Sequence, residues 1–224
     1  MAAGLRVAID LDGTVADLSA EMHAVATGRV APRDGDGEAP EVSDVQDRPA
    51  LRDLALSSRQ LDALWETVLK IKDFWTTLDE MEPGAVKRLA KLAEERRWDV
   101  LFITTRPTSA GATTQVQSQR WLEARGFPRP SVYVVKGSRG KIADALQLDA
   151  VVDDRPENCL DVAVESSARA FLVWQGSEAE LPPGAVRHGV KLVPTIGAAL
   201  DALVELDRQR QGGMGRSLRR LFGR

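Results

Sequence analysis

Arg6-Val7-Ala8-Ile9-Asp10-Leu11-Asp12-Gly13-Thr14 is the stretch on which the fold turns. Val-Ala-Ile is a continuous apolar run rather than an alternating one, the pattern of a strand covered on both faces of a parallel sheet. Ligands of open parallel sheets bind beyond the carboxyl ends of the strands, and that is where Asp10 and Asp12 fall. Two carboxylates ~4 Å apart repel by about 4 kcal/mol at an effective dielectric of 20, so a cation or a proton must offset them. Gly13 lets the backbone turn sharply and approach a ligand closely. The plain structural alternative is an Asx-type turn closing a strand.

Outward from this stretch, short apolar runs alternate with longer amphipathic ones, as in a parallel sheet flanked by helices. Strands are expected at Arg6–Asp10, Asp99–Thr104, Val132–Val135, Ala150–Asp153 and Ala170–Trp174. Helices are expected at Leu18–Ala26, Gly84–Arg97, Thr113–Arg125, Lys141–Leu146, Glu157–Ser166 and Thr195–Arg208, with one more capped by Ser58. Residues 17–81 break the rhythm and read as a small helical cap inserted after the first strand, with residues 1–16 and 82–210 forming the core. Within the cap, the acidic, Gly- and Pro-containing passage 33–48 reads as a solvated loop. The basic tail 211–224 reads as flexible.

The 224 residues carry 30 Lys and Arg against 33 Asp and Glu, a formal charge of -3, and 43% are hydrophobic. This near-neutral balance argues against a dedicated nucleic-acid binder. The apolar runs fall short of the ~20 residues that span a bilayer, and no secretory leader is expected ahead of the first strand. Cys159 stands alone, so no intramolecular disulfide can form; a cytoplasmic setting is the expectation.

A second acidic pair, Asp153-Asp154, ends the fourth expected strand. If the first and fourth strands are neighbours, Asp10, Asp12 and Asp153 converge. Hard oxygen ligands without a nearby imidazole or thiolate suit Mg²⁺, which also takes phosphate oxygens. Cys159, His23 and His188 show no zinc spacing. Thr104 and Thr105 offer donors just after another strand. Lys141 begins a helix behind a glycine-flanked loop that can aim its ammonium inward, a role for which it is preferred over Lys136. Together these residues have metal and phosphate complementarity.

The order Asp10-x-Asp12-Gly13-Thr14, Thr104, Lys141, Asp153-Asp154 resembles the four-motif signature of the haloacid dehalogenase-like (HAD) hydrolase superfamily. DLDGTVAD, ITTRP and VVDDRPENC look most like its 5'(3')-deoxyribonucleotidase branch. The resemblance implies a Rossmann-like, three-layer α/β/α fold with strand order 5-4-1-2-3. Asp10 would be a nucleophile forming an aspartyl-phosphate, and Asp12 the general acid and base. Asp10, the main-chain carbonyl of Asp12, and Asp153 would hold Mg²⁺, with Asp154 behind them, while Thr104, Thr105 and Lys141 would bind the phosphoryl group. An Asp at the second acidic position favours phosphatase over dehalogenase chemistry.

The expected substrate is a small phosphorylated metabolite, foremost a (deoxy)nucleoside 5'-monophosphate, with a phosphosugar as the alternative. Arg106 and Trp75 are candidate substrate contacts; Trp65, Phe74 and Trp75 could stack on a base, although aromatics at helical spacing in a small cap more often form its core. Arg155 shares the ambiguity of Arg106 between substrate contact and loop brace. A phosphorylation-controlled receiver-like module also gathers acids, a Thr and a Lys at strand ends. Such modules run near half this length and lack the second acid two residues beyond the first.

Overall fold

The computed structural model describes residues 4–28 and 56–222, with side chains as far as residue 212; the passage 33–48 lies outside the described residues. Six strands, β1 (Arg6–Asp10), β2 (Asp99–Thr104), β3 (Ser131–Val134), β4 (Ala150–Asp153), β5 (Arg169–Val173) and β6 (Lys191–Val193), form one sheet in the order β3-β2-β1-β4-β5-β6. Every neighbouring pair is parallel. The first five strands follow the order the resemblance implied. β6 is additional: three residues are too few to stand out as an apolar run.

Side chains alternate between the two faces of the sheet. Val7, Ile9, Phe102, Val152 and Phe171 join one buried cluster, and Ala8, Leu101, Ile103, Val151 and Leu172 join the other. Helices α3 (Ala85–Arg96), α4 (Thr114–Ala124) and α7 (Ile196–Phe222) supply the first cluster, and α5 (Arg139–Ala145) and α6 (Pro156–Glu165) the second. The result is a three-layer α/β/α arrangement. Helix starts follow capping chemistry: Thr113 accepts from Val116 N–H, Ser138 from Lys141 N–H, and Pro156 opens α6.

The segment after β1 carries α1 (Leu18–Ala26) and α2 (Ser58–Lys70), the latter capped by Ser57 rather than Ser58, with Gln60 completing a capping box. Its ends are tied together where Asp17 N–H donates to Asp79 O and Met81 N–H to Val15 O, both at 2.9 Å. A 3₁₀ turn, Phe74–Thr76, then leads back toward α3. Leu18, Met22, Leu64, Trp65, Phe74 and Trp75 all belong to the same apolar cluster as the first sheet face.

Of the two readings of Trp65, Phe74 and Trp75, core and base-stacking, burial selects the core: none is more than 1% exposed. Trp75 is also spent as a donor, its indole N–H bonding Pro107 O and its backbone N–H bonding Gln117 Oε1, both at 3.0 Å. Aromatics at helical spacing here are core.

At the other end, α7 continues to Phe222 where the sequence placed a flexible tail, so the backbone of residues 211–222 is helical. Gly212 and Gly213 cost about 1 kcal/mol each relative to Ala, and the Arg, Gln, Leu and Met around them are good helix formers. Among the described residues no helix is long and apolar enough to cross a membrane.

Candidate active site

Parallel pairing of β1 with β4 sets Ile9 opposite Val152, so Asp10 and Asp153 leave the sheet side by side. On the other flank Asp10 pairs with Ile103, one residue before Thr104. The two acidic sites and the threonine therefore meet at one edge. Asp10, Asp12, Thr104 and Asp153 are all buried, and Thr105 is half-buried beside them.

The turn after β1 is built for close approach. Gly13 has φ +79°, and a Cβ there would lie 2.3 Å from Asp154 Oδ2. Asp154 is thus pressed against the Asp12–Gly13 backbone. Asp153 is held from two sides, accepting from Arg155 N–H at 2.8 Å and from Asn158 Nδ2 at 2.9 Å. Asn158, one turn into α6, is a positioning group that the sequence reading passed over.

The cation facing these acids is not Lys141. Lys141 is exposed, whereas Arg139 is 3% exposed and lies with Nη2 3.5 Å from Asp10 Oδ1 and Nε 3.8 Å from Asp153 Oδ2. The reason is helical phase. Successive residues turn by about 100°, so residues 139 and 141 point to nearly opposite sides. The phase of α5 is locked by α6: Gly140 N–H and Ser138 Oγ both donate to Asp161 Oδ2, at 2.9 and 2.7 Å. A Cβ on Gly140 would sit 2.3 Å from Asp161 O, so only glycine permits this contact. A signal for Arg139 was present, since Ala143 and Leu146 follow it at i+4 and i+7 on the inward stripe.

Arg106 braces the second acid. Its Nε donates to Asp12 Oδ1 at 3.0 Å and Oδ2 at 2.9 Å, its Nη2 to Oδ1 at 2.7 Å, and its Nη1 to Ser118 Oγ at 3.0 Å. The guanidinium is buried and lies 4.9 Å from the Trp75 ring centroid and 5.9 Å from that of Trp121. Arg106, one of the two candidate substrate contacts, is therefore spent on Asp12, and Trp75, the other, is buried beneath it. Arg155 is half-buried, and its Nε has no hydrogen-bond partner among the described residues.

Charge at this edge is unevenly offset. Burial pushes the Asp10 carboxyl well above the usual carboxylate range; Asp153 adds to this, Arg139 opposes it, and Asp154 and Asp12 add further. Burial also raises Asp153, against Arg139, the Arg155 N–H and Asn158. The Cys159 thiol is pushed up by burial and by the same carboxylates, and its Sγ donates to backbone carbonyls. It is a packing residue.

Among the described residues no group of three or more His, Cys, Asp or Glu side chains is arranged to hold a metal ion. The Asp12 side chain is held by Arg106, which leaves its main-chain carbonyl, the atom the resemblance implies as a ligand. The donors still fit Mg²⁺: buried Asp10 and Asp153 are hard oxygens short of positive charge, and Mg²⁺ is commonly held by one or two carboxylates plus waters and substrate phosphate.

No protein-family model matches the chain, and no curated protein matches it. Solved structures do. A HAD family hydrolase from Deinococcus radiodurans, with bound phosphate and sodium, matches with a TM-score of 0.51 at 13% identity, over 92% of this chain and 97% of that one. A provisionally named beta-phosphoglucomutase from Thermotoga maritima matches with a TM-score of 0.52 at 15% identity, over 90% of this chain and 99% of that one. With its all-parallel sheet in the order β3-β2-β1-β4-β5-β6, the chain has the fold of the HAD-like hydrolases.

Proposed function

We propose that this chain is a Mg²⁺-dependent phosphomonoester hydrolase that works through a phosphorylated Asp10. The observation that carries this reading is Arg139: a buried guanidinium beside Asp10 whose Nε and Nη1 have no hydrogen-bond partner among the described residues. Buried unsatisfied donors cost stability, and a guanidinium fork matches the oxygens of a phosphoryl group. Asp10, flanking that fork, is the oxygen nucleophile.

Asp10 attacks phosphorus while the bond to the leaving alcohol breaks, and Asp12 delivers a proton to the departing oxygen. Asp12 then takes a proton from the water that attacks phosphorus, freeing inorganic phosphate and restoring Asp10. Arg106 fixes where the Asp12 carboxyl sits, and its hold must loosen as the proton moves. Arg139 and Thr104 bind the transferring group, with Thr105 beside them. Asp10, Asp153 and the main-chain carbonyl of Asp12 would hold Mg²⁺, with Asp154 supporting them. The ion when bound supplies charge neutralisation at the phosphoryl oxygens.

The substrate we propose is a nucleoside 5'-monophosphate. A cavity of about 690 Å³ opens beside Asp12, within the range of small-molecule sites. The test is release of phosphate from p-nitrophenyl phosphate and from nucleoside monophosphates with Mg²⁺. Chelation and Asp10→Asn should each abolish it while the melting transition persists. Absence of release with any divalent cation from any of these esters would refute the proposal.

A further inference from the structure

Resting on that hydrolase reading, we infer that the leaving group is an alcohol with no negative charge, rich in hydrogen-bond donors and carrying one flat face. The 690 Å³ cavity is lined in part by Asp12, Gly13 and Asp154. Because the proposed P–O cleavage takes place beside Asp12, the rest of the cavity receives the alcohol. Its lining also includes the start of α1, with Asp17 and His23, and the loop after β5, with Trp174, Gln175 and Glu180.

These walls are acidic. Asp17 and Glu180 add carboxylates to Asp154, and among the described lining residues there is no Lys or Arg. Asp17 Oδ1 accepts one backbone N–H at the start of α1, and Glu180 Oε1 accepts one from Ser177. A carboxylate can accept about four hydrogen bonds, so both retain capacity for ligand donors. A second phosphate or a carboxylate on the alcohol would meet like charge here.

The aromatic wall is set in advance. The Trp174 indole N–H donates to Ser177 O at 3.2 Å. A Cβ on Gly176 would lie 2.8 Å from Trp174 Cζ2 and 2.9 Å from Glu180 Oε2, so the absent side chain lets ring and carboxylate close on one turn. A half-buried indole beside carboxylate acceptors suits a flat, donor-bearing ring such as an amino-substituted base.

The experiment compares kcat/KM with Mg²⁺ for a nucleoside 5'-monophosphate against its 3',5'-bisphosphate, and for phosphoethanolamine against phosphoglycolate. p-Nitrophenyl phosphate serves as the reference. The uncharged or cationic member of each pair should be favoured at least about fivefold, the scale of an exposed charge pair. Glu180→Lys should narrow both ratios by a similar factor, and Trp174→Ala should raise KM for the nucleotide more than it lowers kcat. Cleavage of the reference ester with the anionic members equal or preferred, or ratios unmoved by Glu180→Lys, overturns the leaving-group assignment alone. No cleavage of any ester, the reference included, overturns the hydrolase reading and this inference with it.

Discussion

Replacing Arg139 by Ala and, separately, Lys141 by Ala separates two cations two residues apart. Arg139 stands 3.5 Å from Asp10 and 3.8 Å from Asp153. Unit charges at those distances attract by roughly 4–5 kcal/mol each at an effective dielectric of about 20. The cost of burying the guanidinium cancels part of this, and breaking a buried pair from one side typically costs about 3–5 kcal/mol. For a chain of this size each kcal/mol moves the melting temperature by about 2–4 °C. Arg139→Ala in EDTA should therefore melt roughly 6–20 °C below wild type. Lys141→Ala, at an exposed position, should stay within about 0.5 kcal/mol. At a temperature where every variant is folded, Arg139→Ala should lose about 10²–10³ in kcat on an aryl phosphate, the scale of one lost transition-state donor. A double variant with Asp10→Asn should recover part of the melting loss, because the carboxylate left uncompensated is then removed. If Lys141→Ala abolished turnover while Arg139→Ala kept it, the assignment of the cation would be wrong.

The other expectations concern the acids and their braces. Asp10→Asn should stabilise the metal-free protein above about pH 4. The folded state holds the Asp10 proton to higher pH than the unfolded state, whose carboxyl titrates near 3.9, so wild type loses stability as pH rises through that window; melts in EDTA from pH 4.5 to 8 should diverge steadily, and parallel curves would refute this. Arg106→Lys removes the fork that holds Asp12, and turnover should fall far more for alkyl than for p-nitrophenyl phosphate, because only the alkoxide needs a proton; an equal loss on both would remove Arg106 from acid positioning. Trp75→Phe deletes the bond to Pro107 O and should cost about 1–3 kcal/mol with nucleotide KM unchanged, whereas a raised KM would return Trp75 to the substrate.

How much of this was legible in the sequence depends on what fixes each feature. The central strands were plain because a strand buried on both faces must be continuously apolar, as Val7-Ala8-Ile9 and Ala150-Val151-Val152 are. The meeting of Asp10 with Asp153 followed from placing two acids at the carboxyl ends of strands the topology makes neighbours. β6 was invisible because its three residues carry no period, and the run of α7 to Phe222 was hidden behind two glycines that lower helix propensity without forbidding a helix. Core was the commoner reading of Trp75 and the burial agrees with it, but spacing alone did not decide, because an aromatic at helical spacing looks alike whether it faces a core or a ligand.

The misplaced cation and the unforeseen brace on Asp12 share one cause. A motif gives the order of side chains along the chain, but their direction is set by contacts between elements far apart in sequence. Gly140 against the Asp161 carbonyl fixes the rotation of α5, and the same α6 that supplies Asp161 also supplies Asn158, which steadies Asp153. One helix pair thus carries both the cation beside Asp10 and the support of Asp153, so their separation is kept by a single packed interface. On the other flank, Arg106 reaches Asp12 from the loop after β2, and that loop is stitched to the end of the inserted segment by Ala110 N–H to Leu69 O and Asp73 N–H to Ala110 O. Any movement of the inserted segment is thereby coupled to the Asp12 carboxyl, while Asp10, Asp153 and Arg139 are anchored on the sheet and the α5–α6 pair. On the proposed mechanism, the acid is therefore tied to the inserted segment and the nucleophile to the sheet, so a substitution that loosens the Leu69–Ala110 contact should disturb Asp12 before it disturbs Asp10.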